Sequence, residues 1–355
     1  MAYTNIDDPS AYFQIKLWTG TGSSQTVNFD GNSDLQADWI WHKEHDDTNG
    51  WHQTDTSIGI ANYLATQDGA AEYGVGSAYV SGIGSNSISY GGGDSSFNSN
   101  SVEQATWAWK ANGGSTSSNT DGDLTSTVQV NSTAGFSIIT YTGKNPIEPL
   151  DIGHGLGEVP DVFIIKNRDR TANWGVYHKD LTSPAENRNL KLNLTNAEAA
   201  ESTFWRNEAP TSTIIKTGEN ASVNVANEDF VAYAFAERQG YSKFGKYVGN
   251  ARADGPFVYT GFQPAFVMIK TISTTDDWYV FDNKRAGYNP AVFRLRPNTT
   301  GSQTTGTDNT VDHLSNGFKL RFTGGSINGD GLSYIYMAFA HHPFVTSTGI
   351  PTTAR

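Results

Sequence analysis

The sequence predicts an all-β chain of three tandem β-sandwich domains, built from an internal repeat of about 100 residues, and three signatures recurring in the same order carry that prediction. The first is an apolar run ending in lysine: Ala37-Asp38-Trp39-Ile40-Trp41-His42-Lys43, Pro160-Asp161-Val162-Phe163-Ile164-Ile165-Lys166 and Pro264-Ala265-Phe266-Val267-Met268-Ile269-Lys270. A tryptophan follows each lysine by eight positions, at Trp51, Trp174 and Trp278. The third sets a small residue between two large ones: Trp107-Ala108-Trp109, Tyr233-Ala234-Phe235 and Met337-Ala338-Phe339. Copies two and three hold a constant offset of 104 residues across all three signatures, and copy one stands 123 to 126 residues before copy two.

Each element follows from local pattern. Residues 1–11 form an N-terminal docking arm, and the first repeat runs over 12–110. Its lysine run is rich in Trp and Ile and reads as an inner strand covered on both faces. The polar residues between lysine and tryptophan read as a hairpin turn, and the return strand alternates, as in Trp278-Tyr279-Val280-Phe281-Asp282. Residues 111–134 are rich in Gly, Ser and Thr and are predicted to be a flexible linker with at most one strand, at Thr127-Val128-Gln129-Val130. The second repeat covers 135–239 and the third 240–344; they adjoin through Gly240-Tyr241-Ser242-Lys243-Phe244-Gly245, so packing between them is expected. Asn196-Ala197-Glu198-Ala199-Ala200-Glu201 has the composition of one or two helical turns. The tail, 345–355, is polar and predicted to be ordered by a partner. About seven short strands per copy suit a two-sheet sandwich, and the copies exceed the 40–50 residues of a propeller blade.

Composition removes several function classes. The 355 residues contain no cysteine, which excludes disulfides, thiolate metal sites and a cysteine nucleophile. Stability must come from burial, and 9 Trp, 16 Tyr and 18 Phe supply the area. Thirty-six acidic against 24 basic side chains give a net charge of −12 with no basic cluster, so nucleic acid would be repelled. The first residues lack the basic and apolar regions of a secretory signal, and no apolar run is long enough for a spanning helix. No ordinary secretory export and no membrane insertion are expected.

The repeat also tests candidate sites, because a site used by the module should recur. His42, His45 and His52 lie near Asp46, Asp47 and Asp55, but their counterparts (Ile165 and Ile269, Arg168 and Ile272, Gly175 and Tyr279) keep no ligand set; they read as solvated hairpin residues, and no metal is assigned. Gly153-His154-Gly155-Leu156-Gly157 lacks P-loop spacing and reads as a tight loop, and His341-His342-Pro343 reads as a strand end. Asp46-Asp47, Asp169-Arg170 and Asp276-Asp277 suit turns better than a glycosidase pair, and Asn328-Gly329-Asp330-Gly331 and Thr120-Asp121-Gly122-Asp123 lack full calcium-loop spacing. No catalytic residue and no cofactor are therefore assigned. Two unrepeated features remain as partner-binding candidates: the arm with Tyr3, Ile6, Tyr12 and Phe13, and the glycine-rich stretch 69–101 with Tyr73, Tyr79, Tyr90 and Phe97 among Gly and Ser. Lys43, Trp51, Lys166, Trp174, Lys270 and Trp278 are read as structural residues of the repeat.

The strings Gly135-Phe136-Ser137-Ile138-Ile139-Thr140-Tyr141-Thr142-Gly143, Gly153-His154-Gly155-Leu156-Gly157 with Pro160-Asp161, Tyr241-Ser242-Lys243-Phe244-Gly245 with Asp254-Gly255-Pro256-Phe257-Val258-Tyr259-Thr260-Gly261-Phe262, and the opening Ile6-Asp7-Asp8-Pro9 resemble a family of repeated β-domains in virion structural proteins of tailed phages, marine and cyanobacterial ones above all. The resemblance covers nearly the whole chain and is strongest over 135–344. It implies a non-enzymatic component on the virion exterior, assembled in the host cytoplasm, whose partners are other virion proteins of tail or capsid. A tail-associated fibre or adhesin displaying β-domains, with a host surface glycan as ligand, is the leading expectation. A capsid decoration or head fibre is the alternative, and a host polysaccharide depolymerase a more distant one. Homo-oligomers fit either location.

Overall fold

The computed structural model describes residues 4–76, 79–92, 96–144, 148–306 and 309–351. Each lysine run lies inside a sheet, because its β-branched and aromatic residues pack on both faces of the pleat. In the first copy the order is Phe13–Thr19, Glu103–Trp109, Trp39–Glu44, His52–Asp55, all antiparallel. In the third it is Ser242–Val248, Ser333–Pro343, Phe262–Thr271, Trp278–Asp282. The second copy repeats that order with Phe136–Thr142, Asp229–Phe235, Val162–Asn167 and Gly175–His178. The lysine-to-tryptophan spacing is a hairpin in all three, as the polar spacer implies. The fold is all-β and of sandwich type: helix among the described residues is confined to short turns, and none is long and apolar enough to cross a membrane.

Alternation along the inner strands shows what covers each face. Ile40 and Ala108 point outward in the first copy and pack with Val80, Ile88 and Tyr90 of a three-stranded sheet, Gln25–Asn28, Ser87–Tyr90, Val80–Gly84. In the third copy Val267, Ile269 and Ala338 pack in the same way on Val258, Val311 and Phe318. The other face turns toward the remaining copies. Trp39, Trp41, Trp107, Trp109, Phe235, Phe266, Met268, Met337 and Phe339 belong to one continuous core drawn from all three copies. Trp109, Phe235 and Phe339, equivalent by repeat, meet there: Trp109–Phe339 is 5.5 Å and Phe235–Phe339 is 5.7 Å between ring centroids. The sandwiches are thus packed about a shared hub, where a tandem array would leave each to bury its own core.

Three expectations are corrected. Residues 111–134 are not a flexible linker: Ser117–Asn119 and Ser126–Asn131 pair antiparallel with each other and extend the second sheet beyond Phe136–Thr142. The strand expected at Thr127–Val130 is present, with Val128 and Gln129 4 % and 0 % exposed, and the polar composition hid the second strand, Ser117–Asn119. The helical turn falls at Ser202–Trp205 rather than 196–201, because Ala199–Ala200 is taken up as an edge strand beside Arg188–Lys191. The tail, up to Pro351, is tied to its own chain: Val345 bridges Pro351, and Ser347 N donates to Asp7 Oδ1 at 2.6 Å. Residues 352–355 lie outside the described residues.

Candidate functional site

The repeated lysines and tryptophans form a ring of bonds between copies. Trp174 Nε1 donates to Ala65 O of copy one at 3.0 Å, Trp278 Nε1 to Lys191 O of copy two at 3.1 Å, and Trp51 Nε1 to Arg296 O of copy three at 2.9 Å. The acceptors are equivalent positions, so each indole reaches into the preceding copy and the third closes the circle. Each tryptophan's backbone N–H donates to an amide two residues beyond its copy's own acceptor: Gln67 at 2.8 Å, Asn193 at 3.1 Å and Asn298 at 3.0 Å. A second cyclic set follows the same rule, with Glu72 N to Arg168 O at 2.8 Å, Glu198 N to Ile272 O at 3.3 Å and Gln303 N to His45 O at 2.6 Å. Lys166 Nζ donates to Gly69 O at 3.2 Å and Lys270 Nζ to Thr195 O at 3.0 Å, again into the preceding copy. Lys43 Nζ donates within its own hairpin, to Glu44 O and Asp47 O, both at 2.7 Å. Burial pushes all three ammonium groups down to about 8, and their acceptors are backbone carbonyls.

The described part of the arm is folded onto this ring. Thr4 Oγ1 donates to Gln239 O at 2.7 Å, and Gly240, at φ +80°, comes so close that a Cβ there would lie 2.5 Å from Thr4 Oγ1. Ile6 is buried in the shared core, Tyr12 meets Tyr241 edge-on at 5.8 Å, and Phe13 packs 5.4 Å from Phe339. Ile6 and Phe13 are therefore occupied inside the molecule, which corrects their reading as docking residues; Tyr12 is half-buried and Tyr3 lies outside the described residues. Deleting residues 1–11 is expected to cost about 4 kcal/mol, roughly one buried isoleucine and the hydrogen bonds of Thr4 to Gln239 and of Asp8 to Ser33. Urea melts of full-length and truncated chains measure it, and equal midpoints would show that the arm's contacts do not hold in solution.

The aromatic insert is likewise core. Tyr79, Tyr90 and Phe97 are 0 %, 0 % and 1 % exposed, so their reading as recognition residues is corrected. Tyr90 Oη hydrogen-bonds Thr106 Oγ1 at 2.7 Å, and Tyr79 Oη donates to His52 O at 3.2 Å. Ser81, Gly82 and Gly84 lie in the strand Val80–Gly84 and Ser87 and Ser89 in Ser87–Tyr90, so these Gly and Ser residues belong to a hairpin. Tyr73 alone of the four reaches solvent, at 38 %, stacked on Tyr63 with centroids 4.8 Å apart.

The histidine expectation also changes. His42, His45 and His52 are buried, since His42 replaces Ile165 and Ile269 on the sandwich face; the repeat comparison removed a ligand set but could not report burial. Burial, with Lys43 beside it, lowers His42 to about 3, and burial together with Arg285 lowers His45 to about 4. No group of three or more His, Cys, Asp or Glu among the described residues is placed to hold a metal ion. His154 pegs its loop, with Nε2 3.2 Å from Thr211 O and Leu156 N donating to Nδ1 at 3.2 Å. Asn328 is buried and donates to Arg252 O at 2.9 Å, a structural use of the calcium-like string. Asp55 is held up to about 6 by burial while Tyr233 Oη of the second copy donates to it at 2.7 Å. The Asp55–Tyr233 bond joins copies one and two.

Sequence reading missed the aromatic surface of copy three. Phe257 and Tyr259 are 45 % and 53 % exposed on an edge strand, and Tyr288 is 65 % exposed in the loop after the hairpin. The alternation Phe257-Val258-Tyr259, with Val258 facing the sandwich core, was the available signal. The matching family model spans residues 8–343 and is described as a domain of unknown function, DUF7483; the chain belongs to that family. No curated protein and no solved structure matches it.

Proposed function

We propose that this member of the DUF7483 family is a non-enzymatic structural component of the exterior of a tailed-phage virion, a tail-associated fibre or adhesin that displays β-domains to the host surface. The observation that carries the proposal is the closed ring: three sandwiches fixed to one another by equivalent indole–carbonyl bonds about an aromatic hub. Such an assembly holds outward loops and sheet faces at set angles, which display requires, and buried Asp55, Lys166 and Lys270 bond across from one copy to another. Among the described residues, Tyr73, Phe257, Tyr259 and Tyr288 are the exposed aromatic residues offered to a partner. The acidic, cysteine-free composition suits a particle built in a reducing cytoplasm and released into water.

A second reading, a head decoration protein, is favoured by the same ring. One chain already presents three equivalent modules, so it matches a local threefold axis of a capsid without oligomerising. Immunogold labelling of intact particles with an antibody to the chain tests both. Label on the tail is the expected result, label on the head selects the decoration reading, and absence of label from intact particles overturns the proposal.

A further inference from the structure

Each sandwich turns one sheet face outward, and among the described residues that face is aromatic in copy three alone. In copy one the outward pairs are Thr26 opposite Ser89 and Asn28 opposite Ser87, and in copy two Asp151 stands opposite Lys216. In copy three Phe257 is opposite Lys319 and Tyr259 opposite Gly317, and the next strand adds Asp312 and Leu314 to these two rows. Both exposed rings rest on glycine. A Cβ at Gly317 would come within 3.0 Å of two Phe257 ring carbons, and one at Gly261, where φ is +83°, within 3.7 Å of Tyr259 Cζ. Each ring is thus laid against backbone with its outer side in solvent. Tyr288 stands beyond the far edge, in a loop that Asn289 clips to Val311–Leu314 through His313 O at 2.8 Å and His313 N at 2.9 Å.

Charge in this copy runs against the rest of the chain. Lys and Arg outnumber Asp and Glu by ten to seven over residues 240–344, whereas they stand three against eleven over 12–110 and ten against fourteen over 135–239. On the face itself Lys319 and Arg321 both pair with Asp254, at 2.7 and 2.9 Å, and Arg321 Nε also binds Asp312 at 2.6 Å. Asp254 is a carboxylate out in solvent, its side chain 79 % exposed, so the two cations already show how they take up a carboxylate. They keep donors in hand: among the described residues Lys319 spends one of its three N–H groups, and Arg321 uses Nε and Nη1 but not Nη2. Size decides between a protein and a smaller ligand. Three strands about 4.8 Å apart, each presenting about three residues at about 3.4 Å, make a platform of roughly 100 Å², against about 800 Å² per partner in a stable protein interface. Exposed rings without a pocket between them suit pyranose rings, whose C–H groups are drawn to the negative face of an aromatic ring.

We propose that this face binds a carboxylated polysaccharide, with sugar rings stacked on Phe257 and Tyr259 and a uronate carboxylate held by Lys319 and Arg321. The assignment rests on the host-surface reading above; particle labelling tests location and a binding measurement tests the ligand, so either can fail alone. The probes are polygalacturonate, neutral dextran and poly-L-glutamate, each immobilised and read by biolayer interferometry with the full chain. Polygalacturonate should bind, and more weakly as salt is raised. Dextran lacks the charge and polyglutamate lacks the rings, so each should bind at least about tenfold more weakly. Phe257→Ser combined with Tyr259→Ser should cut polygalacturonate binding by at least about tenfold at an unchanged melting temperature, because both rings are exposed. Lys319→Gln should also weaken it and covers the case in which the double variant fails to fold. Asp254→Asn frees donors on both cations and should tighten binding. No binding of polygalacturonate, equal binding of polyglutamate or dextran, undiminished binding by the double variant or by Lys319→Gln, or no gain from Asp254→Asn would each overturn the assignment.

Discussion

Replacing Trp39 by alanine is expected to lower stability by about 3–5 kcal/mol, the range for deleting a buried aromatic ring, with its effect reaching beyond its own copy. Trp39 is 2 % exposed and stacks on Tyr233 of copy two at 4.5 Å, while also meeting Trp109 of its own copy at 4.6 Å and Phe235 of copy two at 5.6 Å. The void would therefore open in the hub. Hydrogen exchange measures the reach. Protection should fall in the inner strands of all three copies: Trp39–Glu44, Val162–Asn167 and Phe262–Thr271. Loss confined to Trp39–Glu44 would mean that the sandwiches unfold independently and that the hub contributes little cooperativity.

That difference between hub and array marks the limit of what the residues disclosed. Inner strands, hairpins and all-β character were legible because each rests on a local pattern: Val162-Phe163-Ile164-Ile165 is apolar throughout, and the spacer to Trp174 is polar. The equivalence of Trp51, Trp174 and Trp278 was legible too, as architecture. Which copy each indole reaches was not, since Ala65 O, Lys191 O and Arg296 O are backbone atoms and leave no mark in residue type. The same blindness misjudged Tyr79, Tyr90 and Phe97. Their setting among Gly and Ser resembles a surface loop, but pairing of Ser87–Tyr90 with Gln25–Asn28 turns Ile88 and Tyr90 inward, and Tyr79 and Phe97 pack on buried His52. The replacement of Asp38 and Asp161 by Ala265 was visible in the residues, but not that the two aspartates bind backbone N–H groups beside a neighbouring copy.

Acidification is expected to weaken the fold between about pH 6.5 and pH 4, through histidines buried in the neutral form. His178 is wholly buried, with Nε2 3.2 Å from Tyr336 O of copy three and its Nδ1 accepting Asp180 N at 3.1 Å. That geometry requires a neutral ring with the proton on Nε2, and a second proton would break the bond from Asp180. Burial lowers His178 to about 4 and His42 to about 3, and holds His52, beside His42 and Lys43, well below its ordinary value. Glu237 near His178 opposes the shift without cancelling it, since Lys179 and Lys246 lie close as well. Because the folded values lie below the unfolded one near 6.5, the unfolded chain takes up protons first, and stability falls as pH falls. At pH 5 His42, His45 and His178, lowered to about 3, 4 and 4, each cost about 2 kcal/mol relative to pH 7.5, or about 6 kcal/mol together, and His52 acts in the same direction. Asp55, held up to about 6, works in the opposite sense, because its folded form is the better proton acceptor there; it returns about 1.4 kcal/mol. The net loss of about 5 kcal/mol corresponds to a fall in melting temperature of roughly 6 °C for a cooperative unit of this length. Calorimetry at the two pH values measures it. His178→Asn keeps an acceptor for Asp180 N and should remove about 2 kcal/mol of the dependence; an unaltered pH profile in that variant would show that His178 is not held neutral by the seam it occupies.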